Sequence, residues 1–300
     1  VSTSAFAALR VRDFTLLIVA GPLILSAAIL AQEVAIGYAL YQRTGDPLTL
    51  GLIGLAEAVP YLGVAMYGGA IADRLPRKRI ILCAVALILA GSFALDLLMR
   101  HADTLSTPAL LASVYGAVAL VGFARGFYGP ALSALRASLI PPVLYANASA
   151  WSATSFQAGA VLGPLIAGFL YAPIGLAGTL ATVVAMVATS LALIACVRAP
   201  PTPPTPSGES IRTAIAEGLR FVFGSRPDHL RGRVLAVNGL FVTCSNEIGA
   251  FESGAAARVM GLRASILAGA AVTLGTLAWL GWKTRDLLRA EREGRAAEAA

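Results

Sequence analysis

Apolar residues in this chain run in long blocks separated by short polar punctuation, with neither the alternation of half-buried strands nor the single stripe of a surface helix. Eight blocks approach the roughly 20 residues that an α-helix needs to cross a hydrocarbon core. They run from Leu16 to Leu40, Leu48 to Ile71, Ile80 to Met99, Leu110 to Leu132, Ala150 to Tyr171, Leu176 to Val197, Val234 to Met260 and Ala264 to Trp282. The fourth contains Arg125, and the seventh contains Asn238, Asn246, Glu247 and Glu252. Backbone polar groups find no water in hydrocarbon, so these blocks are expected to be continuous helices with their polar side chains turned inward. The first block is longer than a signal-peptide core and is expected to be retained. The pattern predicts an all-α integral membrane protein, a helical bundle with about 8 transmembrane helices.

Composition agrees. Hydrophobic residues make up 57% of the chain and charged residues 13%, against roughly 25% charged in a soluble domain, so a water-soluble fold would lack polar surface. The net charge of +7 follows a membrane rather than a nucleic acid. With the amino terminus inside, Arg43, Arg100, Arg258 and Arg263 fall outside, Arg125 falls within a span, and the other 18 of the 23 Lys and Arg residues are cytoplasmic. That asymmetry places both termini in the cytoplasm, as an even number of spans requires. The lipid bilayer is the expected partner, and no nucleic acid is.

Catalytic chemistry finds little support. Cys83, Cys196 and Cys244 lie in or beside apolar blocks without ligand-like spacing, so they are expected to be small core fillers, with no metal site. His101 and His229 stand alone, and no G-x-x-x-x-G-K-[ST] phosphate loop is present. No catalytic residue and no cofactor is predicted. Tyr38, Tyr41, Tyr61, Trp151, Trp279 and Trp282 show no cage-like spacing, and interface anchoring is the expectation for those near block ends. Asp96, near the outer end of the third block, is expected to be solvated.

The loop G-A-I-A-D-R-L-P-R-K-R from Gly69 to Arg79 joins the second and third blocks in a tight, basic, cytoplasmic hairpin. Gly69 is expected to allow close backbone approach, and Asp73 to ion-pair among Arg74, Arg77, Lys78 and Arg79. This loop resembles the signature G-x-x-x-D-R-x-G-R-R of the major facilitator superfamily of transporters, with Pro76 in place of a Gly. The fifth block reads G-A-V-L-G-P-L-I-A-G from Gly159 to Gly168, which resembles the glycine-rich packing motif of that superfamily's exporters. Gly159, Gly163, Pro164 and Gly168 would let helices pack closely and bend. R-G-F-Y-G-P-A-L-S-A-L-R from Arg125, A-E-G-L-R-F-V-F from Ala216 and the stretch from Pro227 onward look like bacterial enterobactin-exporter-like members, also called transmembrane secretion effectors. The resemblance implies a multi-pass protein of the bacterial inner membrane.

Shifted by 86 residues, the chain superposes Pro141 on Pro227, Gly163 on Gly249, Gly168 on Gly254 and Gly175 on Gly261. Transporters of this superfamily are built from two repeated six-helix halves, and in a complete member the resemblance implies a much longer offset. The expected organisation is a six-helix amino-terminal bundle over 1–198 and a two-helix remnant of the second half over 233–283, the four helices between being missing. A Pro-rich cytoplasmic linker with an amphipathic helix would fill 199–232, and a charged cytoplasmic tail 284–300. The joint would lie near Gly224 to Asp228. The resemblance further implies that Asp73 sits against the start of the seventh span, around Gly232 to Leu235, where a helix dipole favours negative charge.

Glu33, Glu57, Arg125, Glu247 and Glu252 are ionisable residues within spans, which usually face a bundle interior or water. Desolvation penalises a charged carboxylate there, so any of these glutamates can exchange protons near neutral pH. They are candidates for a proton or substrate path, and a purely structural pairing of a glutamate with Arg125 stands beside that reading. Asn238, Ser245 and Glu252 share one helix face, either lining a path or joining helices. The expected function is a proton-coupled secondary transporter exporting small amphipathic molecules such as siderophores or drugs. The alternatives are a non-transporting remnant and a unit that works only as a homodimer. Single cysteines at Ser2 or Ala300, in a background lacking Cys83, Cys196 and Cys244, should react with a membrane-impermeant maleimide only after cell lysis. Labelling of intact cells would reverse the topology.

Overall fold

The computed structural model describes residues 4–200 and 248–283, without the side chains of Met66, Ala70 and Asp73. The expected linker and amphipathic helix, the start of the seventh span with Asn238, Ser245, Cys244 and Glu247, and the charged tail lie outside the described residues. Within them every regular element is helical, and six helices are long and apolar enough to cross a membrane.

Local chemistry explains where each helix starts and stops. The first span, Arg12–Thr44, passes through a π-helical turn at Val19–Leu25, where Pro22 has no N–H to donate and the α register slips. The Ala20 carbonyl in that turn accepts the Ser190 hydroxyl of the sixth span at 2.7 Å. Gly45, at φ 65°, closes the helix with a bond to the Tyr41 carbonyl. Asp46 then caps the second span, Pro47–Arg74, by accepting the Leu48 N–H at 3.0 Å, with Pro47 at the first turn. The third span, Arg77–Arg100, follows after only Leu75 and Pro76, because Pro76 holds Leu75 extended at φ −107°, ψ 159°. The fourth, Thr107–Leu139, runs well past the apolar block that predicted it. Pro141 and Pro142 separate it from a 52-residue helical run, Tyr145–Cys196. Gly175, at φ 65° and ψ −172°, breaks that run into a fifth span (145–174) and a sixth (176–196). Residues 248–260 form the described part of the seventh helix, and Gly261, at φ 83°, parts it from Leu262–Lys283.

The second and fourth spans lie together, the third packs on the fourth and sixth, and the first lies against the fifth and sixth. One core joins Leu25 and Ala28 of the first span, Ile81, Val85 and Ile88 of the third, Val121 and Leu135 of the fourth, and Val183, Val187 and Ile194 of the sixth. Two glycine seams set the spacing. A Cβ on Gly122 would fall onto the Glu57 backbone, one on Gly126 onto Val64 and the Tyr61 carbonyl, and one on Gly68 onto the Gly126 carbonyl. Gly159 and Gly163 of the fifth span likewise meet the backbone of the first at Pro22, Leu23, Ala27 and Ala31.

Several expectations change. Close approach in the loop region belongs to Gly68, whereas nothing lies within 4 Å of the Cβ position of Gly69, because one step along a helix turns a residue away from the seam. Gly168, two turns from the crossing of the first and fifth spans, is also without a neighbour within 4 Å. Cys83 and Cys196 are exposed on the outer face of the bundle rather than packed in its core. Asp96 is buried, not solvated: it binds Arg100 at 2.9 Å, and Arg100 also reaches the Ala177 carbonyl at 3.3 Å. Trp151 donates to the Ala5 carbonyl at 2.9 Å and, with Asn147, holds the amino-terminal segment on the fifth span. Leu262–Lys283 buries no residue against the rest of the described chain.

Gly122→Leu should lower the stability of the purified protein by about 1–3 kcal/mol, the usual cost of overpacking, while Gly129→Ala, with open space at its Cβ, should change it little. Thermal unfolding in detergent of the two variants side by side checks this, and equal midpoints would contradict the seam.

Candidate transport site

Glycines 122 and 126 occupy one face of the fourth span, one turn apart, and the second span lies against them. Arg125, one residue before Gly126, is therefore delivered to the second span at the level of Glu57. Its Nη1 donates to Glu57 Oε1 in a close ion pair and lies 3.9 Å from Glu33 Oε1 of the first span. The Glu57 side chain is 4% exposed, whereas those of Arg125 and Glu33 are 25% and 28% exposed. Glu57 stands ten residues into its helix, about 15 Å from the amino-terminal end at 1.5 Å per residue, which puts the cluster near mid-membrane. A charge at that depth is tolerated when paired, since the desolvation of each ion is partly recovered by the other.

Arg125 and Glu33 open onto a cavity of about 1130 Å³. Its walls come from the first, fourth and fifth spans, with Tyr61 from the second and Ala250 from the seventh helix. The cavity extends from the cluster toward the end of the bundle that carries Arg136 and Tyr145, the cytoplasmic end on the charge distribution. Phe14, Tyr61, Tyr128, Tyr145 and Phe156 line it together with Ser133, Ser149 and Gln157. No spacing within a single span marks these aromatics as a set, because each comes from a different helix or a different turn. The π-helical turn brings Gly21 to this wall, where a Cβ would strike the Tyr128 hydroxyl.

Of the five candidate path residues, Glu33, Glu57 and Arg125 come together. Glu252 is exposed and lies outside the cavity lining, and Glu247 is outside the described residues. The basic loop binds helix ends. Arg77 Nη1 donates to the Ala134 carbonyl at 3.1 Å and Lys78 Nζ to the Ala195 carbonyl at 2.7 Å, near the carboxyl-terminal ends of the fourth and sixth spans. Asp13 closes the same rim by accepting the Arg198 N–H at 2.8 Å. Arg74 and Arg79 are exposed and Gly69 is half-buried. The expected approach of Asp73 to Gly232–Leu235 falls outside the described residues on both sides. What is described of the seventh helix does lie against the second span: Gly254 and Phe251 meet Gly51 and Pro47, and Arg258 binds Asp46 at 3.0 Å.

The Major Facilitator Superfamily model matches residues 13–227. The chain belongs to the major facilitator superfamily. Among solved structures this major facilitator protein is similar to one described as an in meso crystal structure of the POT family transporter PepTSo, with a TM-score of 0.54 and 14% identity. The likeness covers 85% of this chain and 55% of that one, so the chain spans about half the length of that transporter. At this identity the likeness speaks for the fold alone. No curated protein matches. The family is one of secondary transporters embedded in a membrane as multi-pass helical bundles, which agrees with the all-helical architecture and its membrane-length spans.

Arg125→Met should destabilise the protein by about 3–5 kcal/mol, because it leaves Glu57 buried without its cation. Adding Glu57→Gln should restore most of the loss. Unfolding of the single and double variants in lipid nanodiscs measures this, and a double variant no better than the single one would refute the pairing.

Proposed function

We propose that the chain acts as a proton-coupled secondary transporter exporting small amphipathic molecules, siderophore-like or drug-like, through the cavity at Glu33 and Arg125. The observation that carries this reading is one guanidinium facing two carboxylates at the cavity wall. With both carboxylates ionised the cluster holds one net negative charge, and binding one proton neutralises it. A net charge in the middle of a membrane is costly, so the cluster favours taking up that proton or a cationic group of a substrate. The aromatic and hydroxyl lining suits a compound with both apolar and polar faces.

The proposed organisation is a six-helix first half followed by the last two helices of the second, as the 86-residue repeat offset and the end of the family match at residue 227 suggest. A second reading, that two copies complete each other's transport path, rests on one observation. Among the described residues beyond the first five spans, Ala250 alone lines the cavity, and Leu262–Lys283 buries no residue. Alternating access needs two bundles moving around one site, and a second copy supplies the other.

In everted membrane vesicles, a cationic fluorescent drug should accumulate on energisation and be released by an uncoupler, with Glu57→Gln losing at least tenfold in initial rate. Absence of uncoupler-sensitive flux across a broad panel would leave the non-transporting reading. Crosslinking in membranes separates the single-copy and two-copy forms.

A further inference from the structure

Beside the large cavity lies a second, smaller one between the first, second and fourth spans. Its volume of about 10 Å³ is close to the minimum that holds one water molecule. Glu33, Glu57 and Gln32 form its polar side, and Ile53, Val118 and Val121 much of its apolar side. Gln32 is 3% exposed, and its Oε1 is buried without a hydrogen-bond partner. An orphaned amide oxygen inside a membrane span keeps the full desolvation cost of that group, so its position at the edge of a water-sized, mostly apolar cavity calls for a donor there. Glu33 borders both cavities, whereas Glu57 borders only the small one.

We infer that the small cavity is a single-water site held by Gln32, and that this water relays a proton between Glu33, which meets the large cavity, and Glu57, which does not. The inference rests on the proton-coupled reading and supplies its entry route. A proton from the large cavity binds the Glu33 carboxylate. The Glu33 O–H bond then breaks as a new O–H bond forms on the water, and a second O–H bond of that water breaks as Glu57 is protonated. The water is unchanged and one proton has moved. Neutral Glu57 loosens its hold on Arg125, whose Nη1 already lies 3.9 Å from the ionised Glu33. Gln32 is a positioning residue: its Oε1 accepts one water hydrogen and leaves the other pointing along the relay. Among the described residues, the charged groups near Glu57 are Arg125 from the fourth span and Glu33 from the first. The ion pair between Arg258 of the seventh helix and Asp46 lies at the outer end of the second span, away from Glu57.

The test uses the full chain in liposomes and reads the protonated carboxyl band by infrared difference spectroscopy after a rapid pH jump. Wild type should show a band that Glu57→Gln removes. Gln32→Leu should slow its appearance at least tenfold, and so should Val118→Ile, which fills the cavity from the opposite wall and guards against a Gln32 variant that fails to fold. Val118→Ala, which enlarges the cavity, should keep the wild-type rate. Wild-type rates in every folded member of the Gln32→Leu and Val118→Ile pair would overturn the relay while leaving proton coupling intact. The absence of any Glu57-dependent band would overturn coupling at this cluster, and the relay with it.

Discussion

The backbone contact between the second and fourth spans is the constraint on which the rest of the site depends. A transmembrane helix has no hydrophobic drive toward its neighbour, since lipid tails are as apolar as leucine, and association relies on close packing and polar bonds. Gly122, Gly126 and Gly68 remove the side chains that would hold the two helices apart. The approach brings the Arg125 guanidinium to Glu57 without an extended reach, and it closes the small cavity beside Gln32 at the same level. A wider crossing would leave both charges facing lipid or water. Packing and electrostatics are thus one feature: the glycines bring the second and fourth spans together at the level of the ion pair between Arg125 and Glu57.

Charge is handled differently at the two ends of the bundle. At the end that the charge distribution assigns to the outside, Arg43 pairs with Asp103 at 3.1 Å, Arg100 with Asp96 at 2.9 Å and Arg258 with Asp46 at 3.0 Å. At the inner end Arg77 and Lys78 bind carbonyls at helix ends instead and keep their net positive charge. On the topology that the charge distribution implies, the pairing of Arg43, Arg100 and Arg258 sharpens the asymmetry counted from basic residues alone, because Arg77 and Lys78 keep their charge. The same inner contacts tie the hairpin loop to the fourth and sixth spans.

The first span joins the two halves of this picture. Its π-helical turn at Pro22 gives up α register where the fifth and sixth spans cross it, and Ser190 binds and Gly159 packs there, with Gly163 following at Ala27 and Ala31. The same helix then presents Ser26, Leu30 and Glu33 to the cavity. Irregular backbone inside a membrane is tolerated where protein or water covers it, and here the fifth and sixth spans cover it on one side and the cavity meets it on the other.

The basic hairpin pointed to the family by resemblance, while long apolar blocks and the lopsided distribution of arginine were enough to predict membrane helices and their approximate number, because each follows from local composition. Glu33, Glu57 and Arg125 stood out for the same reason: an ionisable residue within an apolar block is visible without any knowledge of its neighbours. What joined them was not visible. The G-x-x-x-G spacing of Gly122 and Gly126 is present in the sequence, yet it overlaps the Arg125 motif and gives no partner. That Gly68 rather than Gly69 meets the fourth span depends on helix rotation, which a block hydrophobic on all faces does not reveal. The burial of Asp96, the outward turn of Cys83, the cavity aromatics gathered from separate helices and the orphaned oxygen of Gln32 are likewise matters of rotation and crossing. Hydropathy along a chain measures whether a segment prefers lipid to water. Which side of that segment meets protein is decided only when the other helices are in place.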